Sequence, residues 1–138
     1  MLKKISQKQA PGSDTVQALI DFTHKGNDPF AMRDVIIILA KVKEARVAEA
    51  LAIGIPDLRY SDDVSAALIE FGPIAEPAVE KYLRHESPQT RELACKILAQ
   101  IGTRKSLPAL QTLSRDFFTA QVARQAIDAI NQRAKEKK

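Results

Sequence analysis

The chain has 138 residues, 45% of them apolar and 28% charged, which suits one soluble globular domain with a sizeable core. Its net charge of +4 sits at the ends: Lys3, Lys4 and Lys8 give residues 1–12 a charge of +3, and Arg133, Lys135, Lys137 and Lys138 against Glu136 give residues 133–138 another +3, leaving the body at −2. A body of that charge argues against a basic stripe that tracks phosphates, the lone Cys95 excludes an intramolecular disulfide, and no run approaches the roughly 18 apolar residues of a membrane span.

Residues 1–13, polar and basic around Pro11-Gly12, read as a flexible tail. They lack the apolar stretch of a secretory signal, so the expected location is cytoplasmic. Ser13 or Asp14 can cap a first helix over about 15–25, with Val16, Leu19, Ile20 and Phe22 or Thr23 as its apolar stripe and Gly26-Asn27 as its stop. Asp28-Pro29 opens a second helix, about 29–43, carrying Met32, Val35, Ile36, Leu39 and Val42 at helical spacing. Ile37 and Ile38 make Val35–Leu39 apolar on every side. Five branched residues in a row also fit a buried strand, but the 3.6-residue pattern on both flanks decides for a helix, and the expectation is burial on two faces.

A third helix spans 44–54 (Val47, Ala50, Leu51) and ends at Gly54; residues 55–60 connect it onward. Ser61-Asp62-Asp63 supply a cap and N-terminal negative charge for a fourth helix, Val64–Phe71. The fifth runs about 74–85 with Pro77 in its first turn, where proline is tolerated. Ser87-Pro88 opens the sixth, which reaches Ile101 and closes at Gly102. Residues 104–115 (Leu107, Leu110, Leu113) form a seventh, and 119–135 (Val122, Ala126, Ala129, Ile130) an eighth that frays into the basic tail 136–138.

The expected fold class is all-α. Within it a period recurs: Phe71-Gly72 maps on Ile101-Gly102, Pro77-Ala78-Val79 on Pro108-Ala109-Leu110, and Thr90, Ala94 and Leu98 on Val122, Ala126 and Ile130, all at spacings of about thirty. Helical hairpins repeated at that interval are the signature of a solenoid, because one hairpin alone cannot bury its apolar face.

On these residues the chain resembles HEAT repeats, especially the short bacterial kind called PBS-lyase HEAT-like. The resemblance rests on Phe71-Gly72-Pro73-Ile74-Ala75-Glu76-Pro77-Ala78-Val79, on Ser87-Pro88-Gln89-Thr90-Arg91 through Ala94 and Leu98, and on Ile101-Gly102. It covers 61–132 well and 28–60 less closely. It implies an alpha-alpha superhelix, a short right-handed stack of about four hairpins over 14–43, 44–72, 73–102 and 103–135. Met32-Arg33 and Thr90-Arg91 fit the Val-Arg-like pair of the family pattern, whereas Ser65 and Ala123 depart from it, so a continuous ladder of Asp–Arg pairs is not expected. Such repeats host many functions.

Little in the chain resembles a reaction centre. The glycines are scattered singly, without a phosphate-loop pattern. His24 and His85 stand at predicted helix ends without a ligand at metal spacing, so no metal and no cofactor is expected. Asp62, Asp63 and Glu70 could pose as an acid–base set, but helix capping accounts for the two aspartates. Cys95, mid-helix and apolar-flanked, reads as a core residue. The resemblance also reaches phycobilin lyases and a group of DNA glycosylases. This chain is shorter than those, lacks Trp and has a body of −2, so no enzyme is expected. The expected function is protein–protein interaction, as a scaffold, adaptor or module of a larger bacterial protein. The competing reading is a nucleic-acid-binding module that uses the Lys-rich tails. In the implied stack the second helices line the concave side, and Lys41, Ile69, Glu70, Glu92, Lys96, Gln100, Gln125 and Asp128 would face a protein or peptide partner. Should residues 14–25 leave Ile37 uncovered, an apolar patch would remain at Val35–Leu39 for a partner or a homodimer.

Overall fold

The computed structural model describes residues 16–21, 29–57 and 59–136. Among them there are helices and turns but no strand. Residues 16–21 are helical, with Val16 and Ile20 in the core. Seven α-helices follow: α1 (Pro29–Leu39), α2 (Ala45–Ala52), α3 (Ser61–Phe71), α4 (Glu76–Glu80), α5 (Pro88–Ile101), α6 (Leu107–Leu113) and α7 (Ala120–Glu136). Helices α1, α3, α5 and α7 pack side by side in chain order, while α2, α4 and α6 back them as a second layer; α2 packs on α3, α4 on α5 and α6 on α7. This is an all-α architecture of successive helical hairpins in which each helix buries one stripe between the layers. In α5 that stripe is Ala94, Ile97, Leu98 and Ile101, with Cys95 beside it.

Several boundaries differ from the sequence reading, each for a local reason. The stretch 74–85 is a 3-10 turn (Gly72–Ala75), the short α4, and a second 3-10 turn (Lys81–Arg84). Likewise Arg104–Ser106 is a 3-10 turn ahead of α6. Pro77 and Pro108 both sit in the first turn of their α segments, where a missing N–H costs nothing. Ser61-Asp62-Asp63 are not caps: Val64 N–H already donates to Tyr60 C=O at 2.8 Å, so the three lie inside α3. Asp62 and Asp63 still place negative charge in its first turn, as the helix dipole favours. Ser87 caps α5 as expected, its Oγ accepting from Thr90 N–H at 3.4 Å. The third helix stops at Ala52, and Gly54 lies in the turn beyond it.

The expectation of two-sided burial for Val35–Leu39 is overturned. Val35, Ile36 and Leu39 are buried with Met32, but Ile37 and Ile38 are 53% and 43% exposed. The core stripe at i, i+3, i+4, i+7 is complete without them, and a 100° advance per residue turns both to the outer face. The expectations placed on Phe22, Thr23, His24, Gly26-Asn27, Asp28 and the Lys-rich ends before residue 16 and after 136 lie outside the described residues.

The two aligned glycines do different jobs. Gly72, the C-cap of α3, has φ +71, the left-handed region that favours glycine. Gly102, the C-cap of α5, has φ −69; here a Cβ would stand 2.6 Å from the Leu98 carbonyl oxygen and 2.9 Å from Ile130 Cδ1. The first needs an unusual backbone angle, the second needs room for α7.

Candidate protein-binding face

Each helix of the α1–α3–α5–α7 layer buries one stripe and leaves the opposite one to solvent. On α5 the exposed stripe is Gln89, Glu92, Lys96 and Gln100; on α3 it includes Ala66, Ile69 and Glu70; on α7 it includes Gln125 and Asp128; Lys41 follows the last turn of α1. All eight residues singled out from the sequence are exposed. Four helices packed in order carry these residues, which together form the candidate surface. Its chemistry is mixed. Glu92 and Lys96 pair with each other at 3.8 Å, and Glu70 pairs with Lys43 at 3.9 Å. Exposed pairs of this kind contribute little to stability, about 0.2–1 kcal/mol, so their chemistry stays available to a binding partner.

The face is held by polar ties between successive hairpins that sequence reasoning passed over. Glu76, in the first turn of α4, is 4% exposed. Its carboxylate accepts from Thr103 N–H at 2.8 Å, Thr103 Oγ1 at 2.9 Å and Ser106 Oγ at 2.6 Å, one repeat further along. A buried carboxylate is tolerated where charge-assisted donors satisfy it. Arg133 of α7 spans the C-terminus of α5, donating to the carbonyls of Ala99, of Leu98 at 3.5 Å and of Gly102 at 2.7 Å. Leu98 C=O already accepts the Gly102 N–H at 2.7 Å, and the guanidinium adds donors and a positive charge at a helix end whose dipole favours a cation. Lys43 serves α3 in the same way, donating to Glu70 C=O at 3.2 Å with its Nζ 4.9 Å from the centre of the Phe71 ring.

Two rungs of an Asp–Arg ladder are present. Arg33 lies 3.4 Å from Asp63, and Arg91 lies 3.2 Å from Asp116. Arg91 also donates to the carbonyls of His85 at 2.7 Å and Glu86 at 3.1 Å, tying the α4–α5 turn to the next hairpin. The Thr119 hydroxyl donates to Asp116 at 2.9 Å; that bond, then the nearby Arg91 charge, lowers the Asp116 pKa below the ordinary carboxylate value. At Ser65 no rung forms, and its buried hydroxyl has no hydrogen-bond partner.

The candidate reactive groups resolve into structural roles. Cys95 is fully buried, and burial, with the Glu92 charge second, pushes its thiol pKa up to about 12. It is a core thiol and not a nucleophile. His85 Nδ1 accepts from Ser87 N–H at 3.0 Å, and its ring stacks on Tyr82, so it is part of the turn. Asp63 is committed to Arg33. Among the described residues no three His, Cys, Asp or Glu side chains group as metal ligands, and no helix is long and apolar enough to cross a membrane.

One surface feature had no clear sequence signal. Phe117 and Phe118, in the α6–α7 turn, are 89% and 68% exposed and meet edge to face at 5.3 Å. They sit where a polar turn is the rule, and nothing short of the helix boundaries reveals that they leave the core.

Residues 64–131, from α3 into α7, match the family model for HEAT repeats. No curated protein and no solved structure matches the chain.

Proposed function

Residues 64–131 of this chain belong to the HEAT repeats, and from that premise we propose that the protein is a non-enzymatic scaffold that binds a protein or peptide on the concave side of its stack. HEAT repeats generally mediate protein–protein interaction. The observation that carries the reading is the run of exposed stripes across α1, α3, α5 and α7. Lys41, Ile69, Glu70, Glu92, Lys96, Gln100, Gln125 and Asp128 there present both charges, amides and one aliphatic group, a composition closer to a protein surface than to a phosphate-binding one. The repeat units are 14–43, 44–72, 73–102 and 103–135, a division supported by the regular backing of α3, α5 and α7 by α2, α4 and α6. Self-association through the Val35–Leu39 region belongs to the same reading, supported by the exposure of Ile37 and Ile38.

The test is affinity capture with identification of bound proteins, repeated with a Glu92→Lys/Gln100→Lys variant. Both positions are exposed, so the variant should fold as the parent does and lose the captured partner. Heparin retention and DNA mobility shifts at two salt concentrations examine the competing class. Tight, steeply salt-dependent DNA binding by residues 14–135 without the tails would overturn the proposal.

A further inference from the structure

We propose that the outer stripe of α1 pairs antiparallel with the same stripe of a second copy of this chain, across a two-fold axis between Ile37 and Ile38. The inference rests on the self-association reading above and gives it an orientation and a pair of recognition charges. Asp34, Ile37, Ile38 and Lys41 fall at i, i+3, i+4 and i+7, which is one face of a helix. All four are exposed. Lys41 keeps this register because the backbone continues past Leu39 in a tightened turn: Ala40 N–H donates to Ile36 C=O at 2.9 Å and Lys41 N–H to Ile38 C=O at 3.1 Å.

The stripe therefore reads as a negative charge, two isoleucines and a positive charge along about 10 Å of helix. Neither Asp34 nor Lys41 has an ion-pair partner among the described residues, although their neighbours Arg33 and Lys43 are paired with Asp63 and Glu70. A two-fold axis midway along an antiparallel helix pair sets Ile37 on Ile38 twice and Asp34 opposite Lys41 twice. Residue i then meets residue j and j meets i, as an isologous contact requires. A parallel pairing in the same register would instead oppose Asp34 to Asp34 and Lys41 to Lys41. The self-complementary order of charge and apolar surface selects a second copy over an unrelated partner, and antiparallel over parallel. A contact built on a single helix falls short of the ~800 Å² per partner of a standard interface, so the expected dimer is weak, in the micromolar to millimolar range.

Sedimentation of the full chain over that concentration range tests the pairing. Asp34→Lys and Lys41→Asp should each weaken self-association about tenfold, because each places like charges at both ends of the contact. An equimolar mixture of the two single variants should associate within about threefold of the parent, since every end then carries opposite charges. Ile37→Ser should abolish association while leaving the circular dichroism of the parent unchanged. A parent that dimerises but is indifferent to both charge reversals overturns the antiparallel pairing and leaves self-association standing. A parent that stays monomeric at about 1 mM overturns both, and the stripe is then covered by other residues of its own chain. Neither result bears on capture through Glu92 and Gln100, which are on α5.

Discussion

Truncating Glu76 to alanine should loosen the last hairpin more than any other single carboxylate change. The side chain is 4% exposed and accepts from a backbone N–H and two hydroxyls at 2.6–2.9 Å. Removing it strands the Thr103 N–H and the buried Ser106 hydroxyl, at about 1–3 kcal/mol for each unsatisfied group. The Thr103 hydroxyl suffers less, because Thr103 is only half-buried and its O–H can turn to water while its oxygen goes on accepting from Lys105 N–H at 3.2 Å. The expected total is about 2–5 kcal/mol, with the low end holding if water enters. Urea unfolding followed by circular dichroism measures it, with the exposed Glu86→Ala as control. Glu76→Gln should fall between the two, since an amide keeps an acceptor but turns an NH₂ toward the same donors. Thr103→Ala in the Glu76→Ala background should cost much less than it does alone, as expected of coupled partners. Equal, sub-kilocalorie effects of Glu76→Ala and Glu86→Ala would refute the idea that this carboxylate holds two hairpins together.

Four further outcomes are expected. Leu98→Ala, at a fully buried position, should cost about 2–5 kcal/mol, while the exposed Gln100→Ala stays within about 0.5; denaturant midpoints that match would reverse the face assignment of α5. Gly72→Ala should cost about 1–2 kcal/mol for its φ of +71 alone, with nothing within 4 Å of the added carbon. Gly102→Ala should cost more and shift α7, because the Leu98 carbonyl and Ile130 are in the way; paired thermal melts compare them. Cys95 should resist a thiol reagent at neutral pH until the chain unfolds, given full burial and a pKa pushed up to about 12; rapid labelling of the native chain would contradict its placement. The Asp116 carboxyl has a folded pKa below its unfolded one, so its contribution is present at neutral pH and is lost as pH falls through the folded value. Asp116→Asn should flatten the acid limb of the stability–pH curve.

The order of hairpins was legible because the chain repeats, and repetition is a long-range signal written in short-range letters. Pro77 and Pro108, Ser87-Pro88, and the Phe71-Gly72 and Ile101-Gly102 endings all mark real helix boundaries. The fate of Ile37 and Ile38 was not legible. Their identity demands cover, but whether a neighbouring helix supplies it depends on how many stripes that helix has to offer. Nor was the Glu76 clasp visible, since its partners lie 27 and 30 residues away and look like ordinary turn residues. The eight residues expected to face a partner are exposed, and exposure follows from the buried stripe; what such residues bind does not follow from it.

The polar ties are unevenly spread, and in a stack whose stability is nearly a sum of neighbour terms that unevenness predicts where the molecule yields. Between the α4–α5 and α6–α7 hairpins stand the Glu76 clasp, the Arg91–Asp116 pair and the Arg133 contacts with the end of α5. Between α2–α3 and α4–α5 the ion pair seen across the junction among the described residues is the exposed Lys81–Glu49 pair at 3.9 Å, and Ser65 adds a buried hydroxyl without a partner. Apolar burial is continuous across both junctions, from Leu51, Leu68 and Val79 to Leu98, Leu110 and Ile130. The difference between them is therefore polar and specific. Amide exchange should be slower in α5 and α7 than in α2 and α3, with the Glu76→Ala change erasing most of that gap. A chain able to open near its middle while its last two hairpins stay locked can adjust the angle between Ile69-Glu70 and Glu92-Lys96. A binding face that must fit a partner would place its flexibility at that junction.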